Sequence, residues 1–427
     1  MIEFADKGIF RYIVEKTVVT KNAGLDAHHM RIINIPVTLV LDPQQTIACL
    51  KMDTRRGKLY DRLTDFFGQG IFTSKIKERW HHQRSLILHL NTRKAMMNSA
   101  QPLIDAMFQY LERELKGVIV AEVEIQNLLS QMGLVGFCQI IFGVDVSPKA
   151  HMLIKPLARI LEFVNTAIEP GKFPFDPVYR EFCRNKEIVH EWIRELIRES
   201  RSSDNCHPLI RNELRRFASD ADSELVEFVQ SIVLGGHETT ARLMTVAIYY
   251  LAPNSTLVDR LRSELDEYLS SHSEYSLDIM KMQFMRKVLN ESLRLFSPVW
   301  VLTREAQTDV ILGDRVYEKG HQFILSPFVI MRDEKVWGPD AEMFNPDRFD
   351  NLTEIQRATF YPFAVGRENC PGKFFAELEA SLLIFELFNR YDIEILDYDK
   401  ICPYSAGTLR LTSELMVKMR HRSKKLK

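Results

Sequence analysis

The chain has 427 residues, of which 46% are hydrophobic and 26% are charged, and its formal net charge is −1. This composition is typical of a globular protein with a large core. Because the charges nearly balance and no basic run is interleaved with aromatic residues, the sequence argues against a nucleic-acid-binding protein.

The six cysteines lie far apart and form no Cys-x-x-Cys pair. This spacing argues against a zinc site or a disulfide framework and favours a reducing compartment, so we expect a cytoplasmic protein. No uninterrupted apolar stretch is long enough to span a bilayer, and the charged N-terminal residues are unlike a signal peptide. The sequence therefore predicts a protein without a transmembrane anchor.

The first part of the chain is predicted to contain early strands at residues 8–14 and 30–41, leaving little room for a helix ahead of them. Helices dominate after these strands. Apolar residues between Ile188 and Ile197 recur at helical spacing with charged residues between them. The polar residues 200–207 are predicted to form a loop.

A series of helices follows, the first of them ended by Pro253, and short strands and turns fill residues 299–325. The predicted helices cover residues 222–251, 256–269, 277–296 and 373–391. Residues 418–427 include six Lys or Arg and are predicted to be a frayed, solvated basic tail rather than a membrane contact. No internal repeat or low-complexity linker divides the chain, so we expect one mainly α domain with a small β region over residues 1–427.

Two pairs of residues are spaced so that each pair shares one face of a helix. Trp80 and Arg84 are four apart, and Glu291 and Arg294 are three apart. Taken alone, each is an ordinary surface pair that contributes little to stability. A further arginine, Arg348, follows in the segment Phe-Asn-Pro-Asp-Arg-Phe and could join the second pair.

The predicted helix at 222–251 contains the run Gly-Gly-His-Glu-Thr-Thr at residues 235–240. Two glycines inside a helix cost about 1 kcal/mol each relative to Ala. Close approach of a ligand to the backbone would compensate for this, and so would a Gly-rich helix crossing with Thr bonded back to a carbonyl. Glu238 and Thr239 place an acid beside a hydroxyl, a pair that can relay protons. His237 is expected to be packed or solvated rather than catalytic.

Cys370 lies in the segment Phe-Ala-Val-Gly-Arg-Glu-Asn-Cys-Pro-Gly. A lone cysteine is usually a small buried hydrophobe. Here Gly366 and Gly372 allow the backbone to fold tightly around the sulfur, and Pro371 suits the first position of the helix that follows. The positive end of that helix would lower the thiol pKa and favour a metal-binding thiolate.

These motifs, in this order and over nearly the whole chain, resemble those of the cytochrome P450 family. The resemblance implies a mainly α single-domain fold with a small β region and a bound haem b, that is, iron protoporphyrin IX. It further implies that Cys370 is the thiolate ligand of the iron, that Phe363 packs near the sulfur, and that Gly366 and Gly372 shape the loop.

The resemblance also assigns roles to the other motifs. Thr239 would support the activated oxygen and Glu238 would help to deliver protons. Glu291, Arg294 and Arg348 would form a buried structural network that holds the cysteine loop, in which removal of one member strands a buried charge.

The haem propionates are expected to meet donors from several elements. The resemblance assigns them Trp80, Arg84 and Arg304. Glu368 departs from the family pattern, which usually has Arg or His at this position. A carboxylate that faced a propionate would be repelled. We therefore predict that Arg367 replaces the usual cation, and that Glu368 turns to solvent or pairs with a neighbouring base.

The resemblance implies a monooxygenase that inserts one oxygen atom from O2 into an apolar small molecule. Electrons would come from a separate ferredoxin or flavodoxin with its reductase, and four basic residues could receive that donor: Lys75, Lys77, Arg79 and Lys373. The substrate pocket is expected to be lined by Phe66, Phe67, Phe72, Gly235, Val299, Trp300, Val301, Thr408 and Leu409.

Two alternatives stay open from the sequence. One is a peroxide-driven peroxygenase or an isomerase of the same fold, although such relatives typically lose the acid and alcohol that Glu238 and Thr239 provide. The other is a haem sensor or carrier without enzymatic activity, which would not need that pair. A spectral shift on substrate binding, followed by product formation, would separate them.

Overall fold

The structure is a computed structural model that describes residues 9–32, 35–52, 54–166, 175–396, 398 and 401–422. Its helices, in chain order, are α1 (Ile9–Asn22), α2 (Pro43–Lys51), α3 (Thr64–Phe67), α4 (Lys77–Leu90), α5 (Ala100–Leu115), α6 (Ile125–Phe142), α7 (Ala150–Thr166), α8 (Pro177–Ser202), α9 (Pro208–Arg215), α10 (Ser223–Leu251), α11 (Ser255–Ser271), α12 (Gln283–Leu295), α13 (Pro327–Ile330), α14 (Glu334–Trp337), α15 (Glu354–Thr359) and α16 (Lys373–Arg390).

The strands are shorter and form small sheets. They are β1 (Ala27–Ile32), β2 (Ile35–Val40), β3 (Thr54–Arg56), β4 (Val120–Glu124), β5 (Leu302–Ala306), β6 (Val310–Leu312), β7 (Arg315–Tyr317), β8 (Gln322–Leu325), β9 (Tyr391–Ile395), β10 (Tyr404–Ala406), β11 (Thr408–Arg410) and β12 (Met416–His421). The mainly α fold with a small β region is therefore confirmed.

The largest sheet has five strands in the order β1-β2-β8-β5-β3. Its strand pairs are antiparallel except for β2 and β8, which run parallel. At one edge, β3 pairs with β5 so that Arg56 lies directly opposite Arg304. This register brings two cations to the same end of the sheet.

The helical core is built around α10, which packs against α6 and α16. Asp222 caps α10 by accepting hydrogen bonds from the backbone N–H groups of Glu224 and Leu225. The predicted bounds of this helix, 222–251, and of the helix at 373–391 agree with the structure. Pro371 stands two residues before α16 rather than at its first position.

The predicted strand at residues 8–14 is wrong, because the described part of that segment lies in α1. Phe10, Ile13 and Thr17 of this helix are buried at helical spacing. A short apolar run does not distinguish a strand from a helix by its pattern alone, which explains the error. The second predicted strand, 30–41, is part of the hairpin formed by β1 and β2.

Two other segments bear on the predictions made from the sequence. Helix α6 is long and apolar enough to span a membrane, but 78% of it is buried inside the protein, as in the core helix of a globular domain. Residues 418–421, the start of the predicted basic tail, lie in β12 and pair with β4 and β9 instead of being frayed. Residues 423–427 lie outside the described residues.

Glu291 on α12 is the centre of a buried ionic network. It pairs with Arg294 at 2.7 Å and with Arg348 at 3.5 Å, and the side chains of Glu291 and Arg294 are fully buried. Arg294 also donates to the carbonyls of Met331 and Ala341. These contacts tie α12 to residues 331–348. The network thus holds this segment directly, and its predicted role in holding the cysteine loop stays a prediction.

Replacement of Glu291 by Ala should strongly destabilise the fold. Arg294 would be left buried without its partner, at a cost of about 3–5 kcal/mol. Chemical denaturation, followed by circular dichroism, measures this loss. Asp347→Asn is the matched control, because the pair of Asp347 with Arg260 is exposed and should contribute less than about 1 kcal/mol. Equal stability of the two variants would contradict the role of the network.

Candidate active site

A cavity lies between α10, the Cys370 loop and the edge of the sheet formed by β3 and β5. Its wall is mostly apolar and includes Phe72, Phe137, Leu243, Val299, Phe363 and Phe375. An apolar cavity or cleft with a few polar groups is the usual form of a small-molecule site.

Cys370 borders this cavity on a tightly folded loop. Its backbone N–H donates to the carbonyl of Phe363 at 2.8 Å, which closes the loop. Gly366 has φ 72°, and Ala364 has φ 53°, in the left-handed region that residues with a Cβ rarely adopt. A Cβ at Gly372 would lie 3.9 Å from the sulfur. The loop therefore presents the Cys370 sulfur directly to the cavity.

The environment of the Cys370 thiol differs from the one predicted. Burial raises its pKa, and this effect exceeds the opposing influence of the Gly372 N–H, Arg84 and Arg56. The sequence predicted a lowered pKa from the following helix. Binding to a metal ion would deprotonate the cysteine, because only the thiolate is a metal ligand.

Two arginines, Arg56 and Arg304, border the cavity from opposite positions on β3 and β5. Like charges placed across neighbouring strands repel each other. Glu368 compensates one of them, since it pairs with Arg56 at 3.0 Å and also borders the cavity. Arg304 is buried and donates to the carbonyl of Thr303 at 3.0 Å. This wall therefore retains positive charge that suits an anionic group.

The structure corrects the predicted set of propionate donors. Arg367 is exposed and lies over the ring of Trp80, beside His81, and not at the cavity wall. Arg84 donates through both terminal nitrogens to Asn369, so that it holds the cysteine loop. Neither Trp80 nor Arg84 is among the residues that border the cavity, and Trp80 is buried in the core. Arg304 does border the cavity, as expected.

Arg56 was missed by the sequence analysis. Its position in a short edge strand carries no motif, and its partner Glu368 is distant in the sequence. The signal that could have found it was the unusual acid in the cysteine loop, for which a pairing base was predicted without being located.

Glu238 is fully buried but faces away from the cavity. It pairs with Arg242 at 3.3 Å and with Arg410 at 3.0 Å, and it accepts a hydrogen bond from Thr408 at 3.0 Å. Burial alone would raise its pKa, but Arg242 and Arg410 overcome this and lower the pKa to about 2. Glu238 is thus an ionised carboxylate held between two arginines.

Thr239 does border the cavity, and its hydroxyl donates to the carbonyl of Gly235 at 3.1 Å. Gly235 and Gly236 also border the cavity, and each makes room for an aromatic ring. A Cβ on Gly235 would lie 2.9 Å from Phe72, and one on Gly236 would lie 2.3 Å from Phe137. Both rings border the cavity as well, so the glycines shape it directly and through the position of these rings.

The predicted pocket residues divide into two groups. Phe72, Gly235 and Val299 border the cavity. Trp300 is buried and donates to Ser405, and Thr408 is bound to Glu238. The predicted residues that pack in the protein interior instead of lining the cavity are Phe66, Phe67, Trp300, Val301, Thr408 and Leu409.

The four basic residues predicted to bind an electron-donor protein differ in their exposure to solvent and in their ion pairs. Lys75 and Lys77 are exposed, and Lys75 pairs with Asp61 at 2.8 Å. Lys373 is exposed beside Glu377. The side chain of Arg79 is largely buried and pairs with Glu227 at 2.7 Å, so its charge is neutralised.

Comparison with known proteins places this architecture in a family. The family model described as Cytochrome P450 matches residues 33–419. The chain is 40% identical over 423 residues to a cytochrome P450-like protein of Acanthamoeba polyphaga mimivirus, with 98% of this chain and 89% of the relative covered.

Two further relatives have names that denote enzymes. The chain is 31% identical over 424 residues to cyclooctatin synthase of Streptomyces melanosporofaciens, with 92% of this chain and 90% of that protein covered. It is 27% identical over 366 residues to a cytokinin hydroxylase of Arabidopsis thaliana, with 81% and 70% covered.

Replacement of Glu238 by Gln should destabilise the folded protein. It leaves Arg242 and Arg410 as buried charges without a carboxylate, at a cost of about 3–5 kcal/mol. Thr408→Val is the matched control, since it removes only a hydrogen bond worth about 1 kcal/mol. Urea denaturation of both variants at neutral pH measures the difference.

The pH dependence of this effect follows from the lowered pKa of Glu238. The stabilisation by its carboxylate is present above the ordinary pKa of 4.5 and is lost as the pH falls toward about 2. The stability gap between wild type and Glu238→Gln should therefore narrow over that range. A gap that stays constant with pH would contradict the ionised state of Glu238.

Proposed function

This chain belongs to the cytochrome P450 family, and we propose that it is a monooxygenase that inserts one oxygen atom from O2 into an apolar small molecule, with haem b bound through Cys370. The observation that carries this proposal is the composition of the cavity wall. The Cys370 sulfur, an apolar surface and two arginines all border the same space.

These residues suit an iron porphyrin in three respects. Cys370 offers a thiolate to the iron, Phe363 and Phe375 offer an apolar surface to the macrocycle, and Arg56 and Arg304 offer cations to the propionates. Within the part of the chain that the structure describes, no group of three or more His, Cys, Asp or Glu could hold a metal ion. A metal at Cys370 therefore needs further ligands from a cofactor.

When bound, the haem iron activates O2, and electron donation from the thiolate favours cleavage of the O–O bond. The side chains around the cavity would control the entry of water and the transfer of protons. The rings of Phe72 and Phe137 narrow the cavity and keep its wall apolar, which limits entry of water. The hydroxyl of Thr239, at the cavity wall, can hold or pass a proton to the reacting oxygen.

An apolar substrate is supported by the lining of the cavity, whose aromatic and aliphatic side chains favour a molecule with few charges. We also propose a separate ferredoxin or flavodoxin as electron donor, because the exposed Lys75, Lys77 and Lys373 attract an acidic protein. A cytoplasmic location is supported by the six cysteines, since no disulfide joins any of them in the described part of the chain.

Substitution of Cys370 by His tests the haem ligand. The wild-type protein, reduced and treated with carbon monoxide, should show the red-shifted absorption band of a thiolate ligand, and Cys370→His should lose it. Cys402→Ser is the matched control and should keep the band. An unchanged carbonyl spectrum in Cys370→His would contradict the assignment.

The wild-type protein also allows the reaction class to be tested. A library of apolar compounds, screened by the shift of the haem spectrum, should yield ligands that are oxygenated when NADPH, a ferredoxin and its reductase are added. Spectral shifts without product would instead indicate a sensor or carrier. Product formed only with added hydrogen peroxide would indicate a peroxygenase.

Arg56 should be required for tight haem binding. Arg56→Ala removes a cation and leaves Glu368 unpaired at the cavity wall, so haem affinity should fall by about 10-fold or more, since a hydrogen bond to a charged group is worth roughly 1.5–3 kcal/mol. Transfer of haem to apomyoglobin measures the loss rate.

Two further variants make this measurement specific. Arg55→Ala is the neighbouring control, because Arg55 is exposed and pairs with Glu305; haem loss should be unchanged. Arg56→Ala combined with Glu368→Gln should recover part of the affinity, because the repulsive carboxylate is gone. Wild-type haem retention in Arg56→Ala would show that Arg56 does not bind the propionates.

A further inference from the structure

One wall of the cavity is formed by a short segment, residues 66–72, which we call the wall segment. Ile71 and Phe72 of this segment border the cavity. The wall segment contains only the end of α3, a helix of four residues, and the turns that follow it. A helix this short is not stable by itself in water. The position of the wall segment therefore depends on its contacts with the rest of the protein.

Two side chains of α10 hold the wall segment, although neither is among the residues that border the cavity. Gln230 is buried, and its side-chain amide donates to the carbonyl of Phe66 at 2.6 Å. One carboxylate oxygen of Glu227 accepts a hydrogen bond from the backbone N–H of Gln69 at 3.0 Å. The same oxygen pairs with Arg79 at 2.7 Å, which keeps the carboxylate in place. Gln230 and Glu227 thus fix two points of the wall segment.

Two glycines allow the wall segment to lie directly on α10. Gly68, which ends α3, has φ 54°, a value that residues with a Cβ rarely adopt. A Cβ on Gly70 would overlap the hydroxyl of Ser231 and lie 2.7 Å from the carbonyl oxygen of Glu227. A helix carbonyl cannot move aside as the end of a flexible side chain can. Any side chain at position 70 would therefore push the wall segment away from α10.

The contacts between the wall segment and α10 determine the width of the cavity at this point. The ring of Phe72 lies against Gly235, where a Cβ would be 2.9 Å from the ring. Gly235 and Thr239 are four residues apart and lie on the same face of α10, and both border the cavity. Phe72 thus fills space on the face of α10 that carries Thr239. If the wall segment moved outward, this space would open to a larger molecule.

We propose that Glu227 and Gln230 are positioning residues that determine which substrates enter the cavity, because they fix the wall segment against α10. The inference rests on the proposed function, since it concerns the substrate of the proposed monooxygenase. With both contacts in place, Ile71 and Phe72 restrict the cavity to apolar molecules of narrow cross-section. Loss of either contact lets the wall segment move outward, so that bulkier apolar molecules fit.

Two azoles of different size test this role through the haem spectrum. 4-Phenylimidazole and clotrimazole both bind haem iron through an imidazole nitrogen, but clotrimazole carries a bulky group of three aromatic rings on one carbon. In Gln230→Leu and in Glu227→Leu, the ratio of the two dissociation constants should shift in favour of clotrimazole. We expect a shift of about 3-fold to 10-fold, the range that corresponds to loss of one neutral hydrogen bond.

Gln356→Leu is the matched control for these variants. The side chain of Gln356 also donates to a backbone carbonyl, that of Val336, but it lies on α15 and is not among the residues that border the cavity. Its loss should leave the ratio of the dissociation constants unchanged. A general loss of stability would reduce the amount of haem protein and would not change the preference between two ligands that bind iron in the same way.

Gly70→Ala tests the position of the wall segment without removing any hydrogen-bonding group. Its Cβ should displace the wall segment from α10 and shift the ratio in the same direction as Gln230→Leu. Gly133→Ala is the control for an added methyl group, because a Cβ there would make only ordinary contacts, the nearest at 3.7 Å. One variant removes a contact and the other adds a methyl group, so a shift common to both would arise from the position of the wall segment.

Hydrogen–deuterium exchange tests the same contacts independently of ligand binding and turnover. Exchange at residues 66–72, and at the Gln69 N–H in particular, should be about 3-fold or more faster in Gln230→Leu and Glu227→Leu than in wild type, since the wall segment opens more often. Exchange in the central part of α10 should be unchanged. Equal exchange at residues 66–72 in wild type and both variants would overturn the proposal.

The possible failures are distinguishable. If the wild-type protein holds no haem, or its haem binds neither azole, the proposed function fails, and this role with it. If wild type binds the azoles but the ratio stays the same in all three variants, or moves in favour of 4-phenylimidazole, only the role of Glu227 and Gln230 is contradicted. Faster exchange with an unchanged ratio would show that these contacts hold the wall segment without selecting ligands, which also overturns the proposal.

Discussion

Ion pairs between buried side chains fix the relative positions of the helices, the sheets and the cysteine loop in this fold. An ion left unpaired in the interior is strongly destabilising, whereas apolar packing is non-directional and tolerates several arrangements. Arg294 with Glu291 fixes α12 against residues 331–348, and Arg410 with Glu238 joins β11 to α10. The pairing of Arg56 with Glu368 joins the sheet to the cysteine loop. Of these three pairs, Arg56 with Glu368 borders the cavity directly, and the other two hold the helices and strands around it.

The sequence predicted the features that depend on residues close together in the chain. The bounds of α10 follow from Asp222 at its start and Pro253 beyond its end, and the loop around Cys370 follows from its glycines. The spacing of Glu291 and Arg294 predicted a pair, since one helical turn brings them together. These local signals, in their order, were sufficient to indicate the family and to predict Cys370 as the metal ligand.

The partners of these residues could not be predicted, because they come from distant parts of the chain. Arg410 lies 172 positions after Glu238, and nothing in either segment indicates that they meet. The pocket residues show a related limit. Val299 borders the cavity, whereas the adjacent Trp300 is buried in the core and donates to Ser405. A run of apolar residues alone does not reveal which of them faces the ligand.

The run from Glu238 to Thr240 shows why residues that are adjacent in a helix need not act together. Successive side chains are about 100° apart around the axis, so that Glu238 turns toward β11 while Thr239 and Thr240 reach the cavity. The arginines around Glu238 lower the pKa of its carboxyl group, whereas burial raises the pKa of Glu379 on α16, which has no cation beside it among the described residues. The direction in which each pKa moves is therefore determined by packing between helices and strands that are distant in the sequence, and not by the order of residues in α10.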